Sequence, residues 1–170
     1  MMRLAHQFVE PHDDIGSLCI VGMQTRGVYI AKILKAKINE FFGHDIPLGV
    51  LDVTFYRDDF RKPGRAKMPT VRVTEIPFDL NEKDVVLVDD VLFTGRTVRS
   101  AMDALMSFGR PASIRFCCLV DRGHKELPVQ ADYVGVHVPT HINEEIRVKV
   151  KELDGEHAVY VVHPESGDED

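Results

Sequence analysis

Hydrophobic residues occur in short runs that alternate with segments of helical spacing. Residues 18–21 form a compact apolar run and predict a buried strand. Residues 85–88 are apolar at every position and predict a strand buried on both faces of a sheet. Further strands are predicted at residues 50–55, 114–120 and 133–138. Residues 146–150 and 158–162 alternate between apolar and polar positions, which indicates a small antiparallel arm.

Two helices are predicted between these strands. The first has one apolar face and ends at Gly43, and its face comprises Ile30, Ile33, Leu34, Ile38 and Phe41. The second is closed by Gly109, with Pro111 beyond it, and its face comprises Val98, Ala101, Met102, Leu105 and Met106. Alternation of strands and helices favours an α/β fold in which helices cover a parallel sheet.

Two segments interrupt this pattern. Residues 58–68 are polar and charged and contain Pro63 and Gly64, which interrupt regular structure, so we expect a mobile excursion there. Its return arm, residues 71–74, alternates between apolar and polar positions and is predicted to be a strand. The chain from Pro164 onward is acidic and is expected to be disordered. We therefore predict a single domain over residues 1–163, with a flexible lid at about residues 57–70 and a tail at 164–170.

Composition and charge narrow the functional class. The chain has 170 residues, 44% of them hydrophobic, and a net charge of −6. The acidic tail supplies four of these charges, so the body lacks the strongly basic character of a general nucleic-acid binder, although a local basic patch remains open. No run approaches the length of a membrane span, and the first residues lack a leader's apolar run, so we expect a cytoplasmic location without membrane contact. Three cysteines lie in apolar runs and are predicted to be core residues: Cys19, Cys117 and Cys118.

The residues with candidate functional chemistry come directly after the predicted strand at residues 85–88. Two carboxylates, Asp89 and Asp90, come directly after it, and the turn Thr94, Gly95, Arg96, Thr97 then opens a helix. Ligands of parallel sheets bind beyond the carboxyl ends of strands, and a helix N-terminus favours phosphate. A phosphorylated sugar accounts for both features, because its hydroxyl groups donate to carboxylates while its phosphate occupies the turn. Phosphoacceptor domains also carry paired aspartates at a strand end, but without this turn, and a Walker loop is excluded because GxxxxGK[ST] is absent.

Residues 85–97 resemble the phosphoribosyl pyrophosphate (PRPP) signature of type I phosphoribosyltransferases. Other segments that resemble this family cover most of residues 3–157: 21–22, 25–27, 52–59, 76–79, 102–105, 109–111, 119–128 and 131–135. The resemblance implies a central parallel sheet flanked by helices, with a small hood and a flexible lid loop. It is strongest to a member that converts uracil and PRPP to UMP and pyrophosphate, with Mg²⁺ bound mainly through PRPP. That member also regulates pyrimidine genes by transcription attenuation.

The resemblance also implies roles for individual residues. Asp89 and Asp90 would hold the ribose hydroxyls, and the PRPP loop would continue through Val91, Leu92, Phe93, Thr94, Gly95, Arg96 and Thr97, whose last four residues hold the 5′-phosphate. A pyrophosphate loop would comprise Thr25, Arg26 and Gly27, although an ordinary helix entry with a solvated arginine has the same appearance. Arg57 would act in the catalytic lid. The base would contact Val120, Arg122, Tyr133 and Val134, although Tyr133 taken alone is more typical of a residue at the edge of the core.

Departures from the family pattern bear mainly on RNA binding. The RNA surface would comprise Arg3, His6, His124 and Lys125, where Lys125 replaces an arginine and loses its bidentate geometry. Val136 replaces a lysine of the RNA surface. Gln24 replaces a lysine near the pyrophosphate, and Phe93 replaces a tyrosine of the PRPP loop. The chain also starts inside the family's first helix. Expected partners are PRPP, uracil, UMP or UTP, pyrimidine-operon mRNA and further copies of the chain in a dimer or tetramer. A nonenzymatic nucleotide-sensing RNA regulator and a transferase for another base remain open.

Overall fold

The computed structural model describes residues 1–12, 15–54 and 73–163. In chain order, its elements are α1 (Met2–Val9), a 3₁₀ turn (Ile15–Ser17), β1 (Leu18–Met23), α2 (Arg26–Phe42), β2 (Leu48–Leu51), β3 (Asp84–Leu92), α3 (Arg96–Leu105), β4 (Ser113–Asp121), β5 (Tyr133–His137), β6 (Glu145–Lys149), α4 (Lys151–Asp154) and β7 (Ala158–Val162). The first five strands form one parallel sheet in the order β2-β1-β3-β4-β5. The predicted α/β class is confirmed.

Strand β3 lies at the centre of the sheet and is buried on both faces, as predicted. Val86 and Val88 face the core under α1 and α2, where Leu34 and Phe8 pack. Val85 and Leu87 face the opposite core under α3. Because successive side chains of a strand point to opposite faces, an uninterrupted apolar run is what such a central strand requires.

The helices differ from the predictions at their ends. In α2, Ile30, Leu34 and Ile38 are buried as expected, but Phe41 is largely exposed and Phe42 packs against the core instead. A helix of 3.6 residues per turn continues the row of residues 30, 34 and 38 at 42, not at 41. The stop at Gly43 is confirmed, with a left-handed φ of 70°. Helix α3 ends at Leu105, before the predicted Gly109, and Met106 is exposed.

Four predicted segments fall partly or wholly outside the described residues. Strand β2 spans Leu48–Leu51, so the predicted strand at 50–55 starts earlier and ends at Leu51. Of the predicted strand at residues 71–74, the described residues 73 and 74 are not in a strand, and the next residue, Glu75, forms one antiparallel bridge with Val50. The predicted lid at 57–70, with Arg57, and the tail at 164–170 lie outside the described residues.

The antiparallel arm is confirmed as the pair β6 and β7, with Ile146 opposite Val161. Its apolar face packs on the main sheet, because Ile146 and Val148 contact Val120 of β4. The arm therefore lies beside the end of β3 that carries the two aspartates. Within the described residues, none of the helices has the length and apolar character needed to cross a bilayer.

Candidate active site

The carboxylates lie within β3 and not in a loop after it. The strand continues to Leu92, and its pairing with β4 extends to Leu92 opposite Asp121. The pairing with β1 ends earlier, at Val88 opposite Gly22. The prediction that a loop begins at Asp89 is therefore wrong, because β4 continues to supply ladder hydrogen bonds after β1 has ended. Among the described strands, residues 89–92 therefore pair with β4 alone.

Asp89 and Asp90 are held by their own backbone. A side-chain oxygen of Asp89 accepts the Asp90 N–H at 2.9 Å, and one of Asp90 accepts the Val91 N–H at 3.0 Å. Asp89 is 8% exposed, whereas Asp90 is partly exposed and lines a cavity of about 370 Å³. The pair is thus an oriented group of oxygen acceptors, which is the chemistry that sugar hydroxyls require.

The turn before α3 is braced from the segment that follows β4. Gly95 precedes the helix with a φ of 87°, a left-handed conformation that favours glycine. The Thr94 carbonyl accepts the N–H groups of Glu126 and Leu127 at 3.0 and 3.2 Å. Arg96 Nε lies 2.7 Å from a carboxylate oxygen of Glu126. The turn therefore presents the first N–H groups of α3 from a supported position, as an anion site needs.

The predicted pyrophosphate loop meets the same strand end. Helix α2 begins at Arg26, and Gly27 packs directly against β3. A Cβ atom added to Gly27 would lie 2.5 Å from the Val88 carbonyl oxygen and 3.1 Å from Asp89 Cα. Two helix N-termini, those of α2 and α3, therefore flank one pair of carboxylates. Residues about 65 positions apart in the sequence are brought together here.

Arg26 lies between this strand end and the arm. Its side chain lines the cavity together with Asp90 and residues of β6, and one terminal nitrogen is 2.9 Å from Asp154. The hydrogen bond from the Val150 N–H lowers the pKa of the Asp154 carboxyl below its usual range, and the hydrogen bond from Arg26 lowers this pKa further. The sequence prediction missed Asp154 and the β6 residues Glu145, Arg147 and Lys149. Their alternation indicated a strand but carried no signal about where that strand packs.

Two of the predicted base contacts are engaged inside the protein. Val120 is fully buried under β6. Arg122 is 6% exposed, and its guanidinium donates to the Thr140 hydroxyl at 3.0 Å and the Glu144 carbonyl at 2.6 Å. The same group lies 4.2 Å from the centre of the Phe93 ring. Arg122 therefore connects the predicted PRPP loop to residues 140–144, and we expect any base contact at these two positions to involve backbone atoms.

The other two predicted base contacts lie on the edge strand β5. Tyr133 is 7% exposed, its ring centre is 4.8 Å from that of Phe8, and its hydroxyl accepts from Arg115 at 3.1 Å. The Val134 carbonyl accepts from the Arg3 guanidinium at 2.9 Å. Tyr133 is thus a core residue of the α1 face, and its contact with a base stays a prediction, as does that of Val134.

The four predicted RNA contacts form two groups. Arg3 and His6 lie on α1, where Arg3 binds β5 and His6 stacks edge-on against Phe42 with ring centres 5.0 Å apart. His124 Nε2 is 2.6 Å from the Thr140 carbonyl oxygen, and Lys125 Nζ is 3.1 Å from Asp121. All four have partners within the protein, and their contact with RNA stays a prediction.

The three cysteines are core residues, as predicted. Each is fully buried. Burial raises the pKa of the Cys19 and Cys118 thiols to about 12, and that of Cys117 is also raised by burial. Thiols in this state are poor nucleophiles at neutral pH, so they contribute packing and not chemistry.

Comparison with known proteins gives a consistent result. The family model of the phosphoribosyl transferase domain matches residues 1–153. The chain is 50% identical over 155 residues to the bifunctional protein PyrR of Deinococcus deserti, covering 91% of this chain and 84% of that one. It is 52% identical over 159 residues to the bifunctional protein PyrR of Thermus aquaticus, covering 94% and 87%. Among solved structures, the hypoxanthine phosphoribosyltransferase of Trypanosoma cruzi matches with a TM-score of 0.69 at 17% identity, covering 96% of this chain and 90% of that chain, which bears on the fold alone.

Proposed function

The chain belongs to the phosphoribosyl transferase domain family and to the family of bifunctional PyrR proteins within it, and on that basis we propose that it is a uracil phosphoribosyltransferase. The observation that carries the proposal is the meeting of three features at one strand end. These are the Asp89 and Asp90 carboxylates, the N-terminal turn of α3 and the start of α2 at Arg26. A sugar that carries phosphate groups at both ends needs such an arrangement.

In the proposed reaction, a uracil nitrogen forms a bond to the anomeric carbon of PRPP. The bond from that carbon to the pyrophosphate oxygen breaks, pyrophosphate leaves with the electron pair, and the nitrogen loses its proton. Positive charge develops on the ribose ring as the bond lengthens. Asp89 and Asp90 orient the ribose hydroxyls and stabilise this charge, while residues 94–97 hold the 5′-phosphate and Arg26 the pyrophosphate. The groups act by position and electrostatics.

The residues at this site fit the Mg²⁺ ion that the family implies. Mg²⁺ prefers oxygen ligands and is usually held by one or two carboxylates together with substrate phosphates. Asp90, partly exposed at the cavity, is the carboxylate best placed to contribute. When bound, the ion supplies charge neutralisation on the leaving pyrophosphate. Within the described residues, no cluster of three or more His, Cys, Asp or Glu could hold a metal ion. As the family resemblance implies, PRPP itself would supply most of the ligands.

The test is formation of UMP from uracil and PRPP with Mg²⁺, before and after chelation of the metal. Metal-dependent turnover supports the proposal. Competition with hypoxanthine and orotate then identifies the base. PRPP binding without turnover for any base would replace the proposal with a nonenzymatic nucleotide-sensing regulator.

We also propose binding of pyrimidine-operon mRNA, since the curated relatives are bifunctional by name. Arg3, His6, His124 and Lys125 remain the candidate contacts. A gel-shift titration with that RNA, in the presence and absence of UMP, tests the proposal. Affinity no greater than that for an unrelated RNA of equal length would contradict it.

A further inference from the structure

One carboxylate outside the PRPP loop contacts the proposed pyrophosphate arginine. Asp154 is the last residue of α4, the short helix between β6 and β7, and it is 128 positions from Arg26 in the chain. One of its oxygens lies 2.9 Å from a terminal nitrogen of Arg26. Its other oxygen accepts the Val150 N–H, also at 2.9 Å. Both oxygens are therefore used, and Asp154 is itself held in a defined orientation.

The pair sets where the Arg26 cation lies. The Arg26 side chain is 36% exposed and the Asp154 side chain 17%. Within the described part of the chain, Arg26 Nε is buried without a hydrogen-bond acceptor, so the contact with Asp154 is the polar contact that orients the guanidinium. A free arginine side chain has many rotamers, and an anchored guanidinium loses less entropy when it binds a phosphate group.

We propose that Asp154 is a positioning residue for the transferase, which holds the Arg26 guanidinium beside the cavity that Asp90 also lines, ready for the pyrophosphate of PRPP. The inference rests on the proposed function. Asp154 engages one terminal nitrogen of a group with five N–H donors, which leaves the second terminal nitrogen for phosphate oxygens. The arm β6–β7 thereby takes part in substrate binding through a residue that does not touch substrate.

The alternative is that Asp154 competes with pyrophosphate for Arg26. The two interpretations predict opposite signs. Loss of a positioning carboxylate raises the KM for PRPP, whereas loss of a competing carboxylate lowers it. The substitution Asp154→Asn separates them, because an amide oxygen can still accept the Val150 N–H while the charge is lost.

We expect Asp154→Asn to raise the KM for PRPP by about twofold to fivefold, the range of one exposed ion pair, with kcat within about twofold. The matched control is Glu152→Gln, which removes one carboxylate charge from the same short helix α4 at an exposed position that does not line the cavity. The control should leave the KM unchanged. A KM for Asp154→Asn that is unchanged or lower overturns the inference.

A double-mutant cycle provides the second test. If Asp154 acts through Arg26, then Asp154→Asn should have no further effect on PRPP affinity in an Arg26→Ala background, measured by titration calorimetry with PRPP and Mg²⁺. Additive losses would overturn the inference. A wild-type protein that neither binds nor consumes PRPP would instead contradict the proposed function, so the two failures are distinguishable. If Asp154 had a purely structural role, the Asp154→Ala variant would have lower thermal stability than wild type, and the Asp154→Asn variant would keep the wild-type KM for PRPP.

Discussion

The close contact between Gly27 and β3 predicts that a larger residue at position 27 disturbs the candidate active site. A Cβ atom at position 27 would lie 2.5 Å from the Val88 carbonyl oxygen. A carbon atom ordinarily approaches such an oxygen to about 3.3 Å, so the Gly27→Ala substitution must separate α2 from β3 by roughly 0.8 Å. The Val88 oxygen is a backbone atom, and the backbone fixes the position of a Cβ atom, so no side-chain rotation can relieve the contact. Overpacking of this kind costs about 1–3 kcal/mol of folding free energy.

The same displacement moves Arg26 relative to Asp89 and Asp90. A misplacement of about 1 Å can lower a rate by about 100-fold. We therefore expect kcat/KM for PRPP, measured at saturating uracil, to fall by about two orders of magnitude in Gly27→Ala. Urea unfolding measured in parallel gives the loss of stability.

The matched control lies at the other end of the same helix. A Cβ atom at Gly43 would have no neighbour within 4 Å, but the φ of 70° strains any other residue. Gly43→Ala should therefore lose about 1–2 kcal/mol of stability while keeping its kcat/KM. A Gly27→Ala enzyme with kcat/KM within about threefold of wild type would refute the view that α2 and β3 must be in close contact at this point.

Three further predictions concern charge, pH and thiols. Asp90→Asn should lower kcat by more than it raises the KM for PRPP, because the charge counts most in the transition state; equal losses in steady-state kinetics would remove that argument. Hydrogen bonds from Ser113 and then Ser17 lower the pKa of Asp84 below its usual 3.8, so their stabilisation is present above that pH and is lost as the pH falls through the folded-state pKa. The stability difference between wild type and Ser113→Ala, from urea unfolding, should therefore be larger at about pH 6 than at about pH 3, and a constant difference would contradict this origin. The buried cysteines should react with a thiol reagent only at the rate of unfolding, and rapid labelling of the native protein would show that the core opens locally.

Much of the fold could be predicted from local patterns. Residues 85–88 indicated a doubly buried strand, and they are the centre of the sheet. The alternation at residues 146–150 and 158–162 indicated an antiparallel pair, which is present as β6 and β7. Such predictions succeed because the period of apolar residues reports which faces of an element are buried. The order of strand, turn and helix start over residues 85–97 was also predictable, because these elements are consecutive in the chain. That the turn at 94–97 holds a sugar phosphate stays a prediction.

Element ends were less predictable, because they depend on neighbours. β3 continues through both aspartates to Leu92 since β4 still pairs with it there. α3 ends at Leu105, four residues before the glycine that was expected to close it. The continuation of β3 is not visible in the apolar pattern, because its hydrogen bonds come from β4, a segment about 29 positions further along the chain. At the end of α3, the N–H groups of Ser107 and Phe108 bond carbonyls three residues back and no longer continue the α-helical pattern.

The distant contacts of the site were decided only by the tertiary structure. The approach of Gly27 to Val88, the ion pair of Arg26 with Asp154 and the engagement of Val134 by Arg3 each join residues about 60 or more positions apart. A sequence pattern describes which face of a segment is buried, but it contains no record of the partner against which that face packs. The amino-acid sequence alone thus indicated the sheet, its apolar faces and the turn between β3 and α3. Folding determined which arginine, carboxylate and carbonyl meet there, because register and packing arise from interactions between segments and not within them.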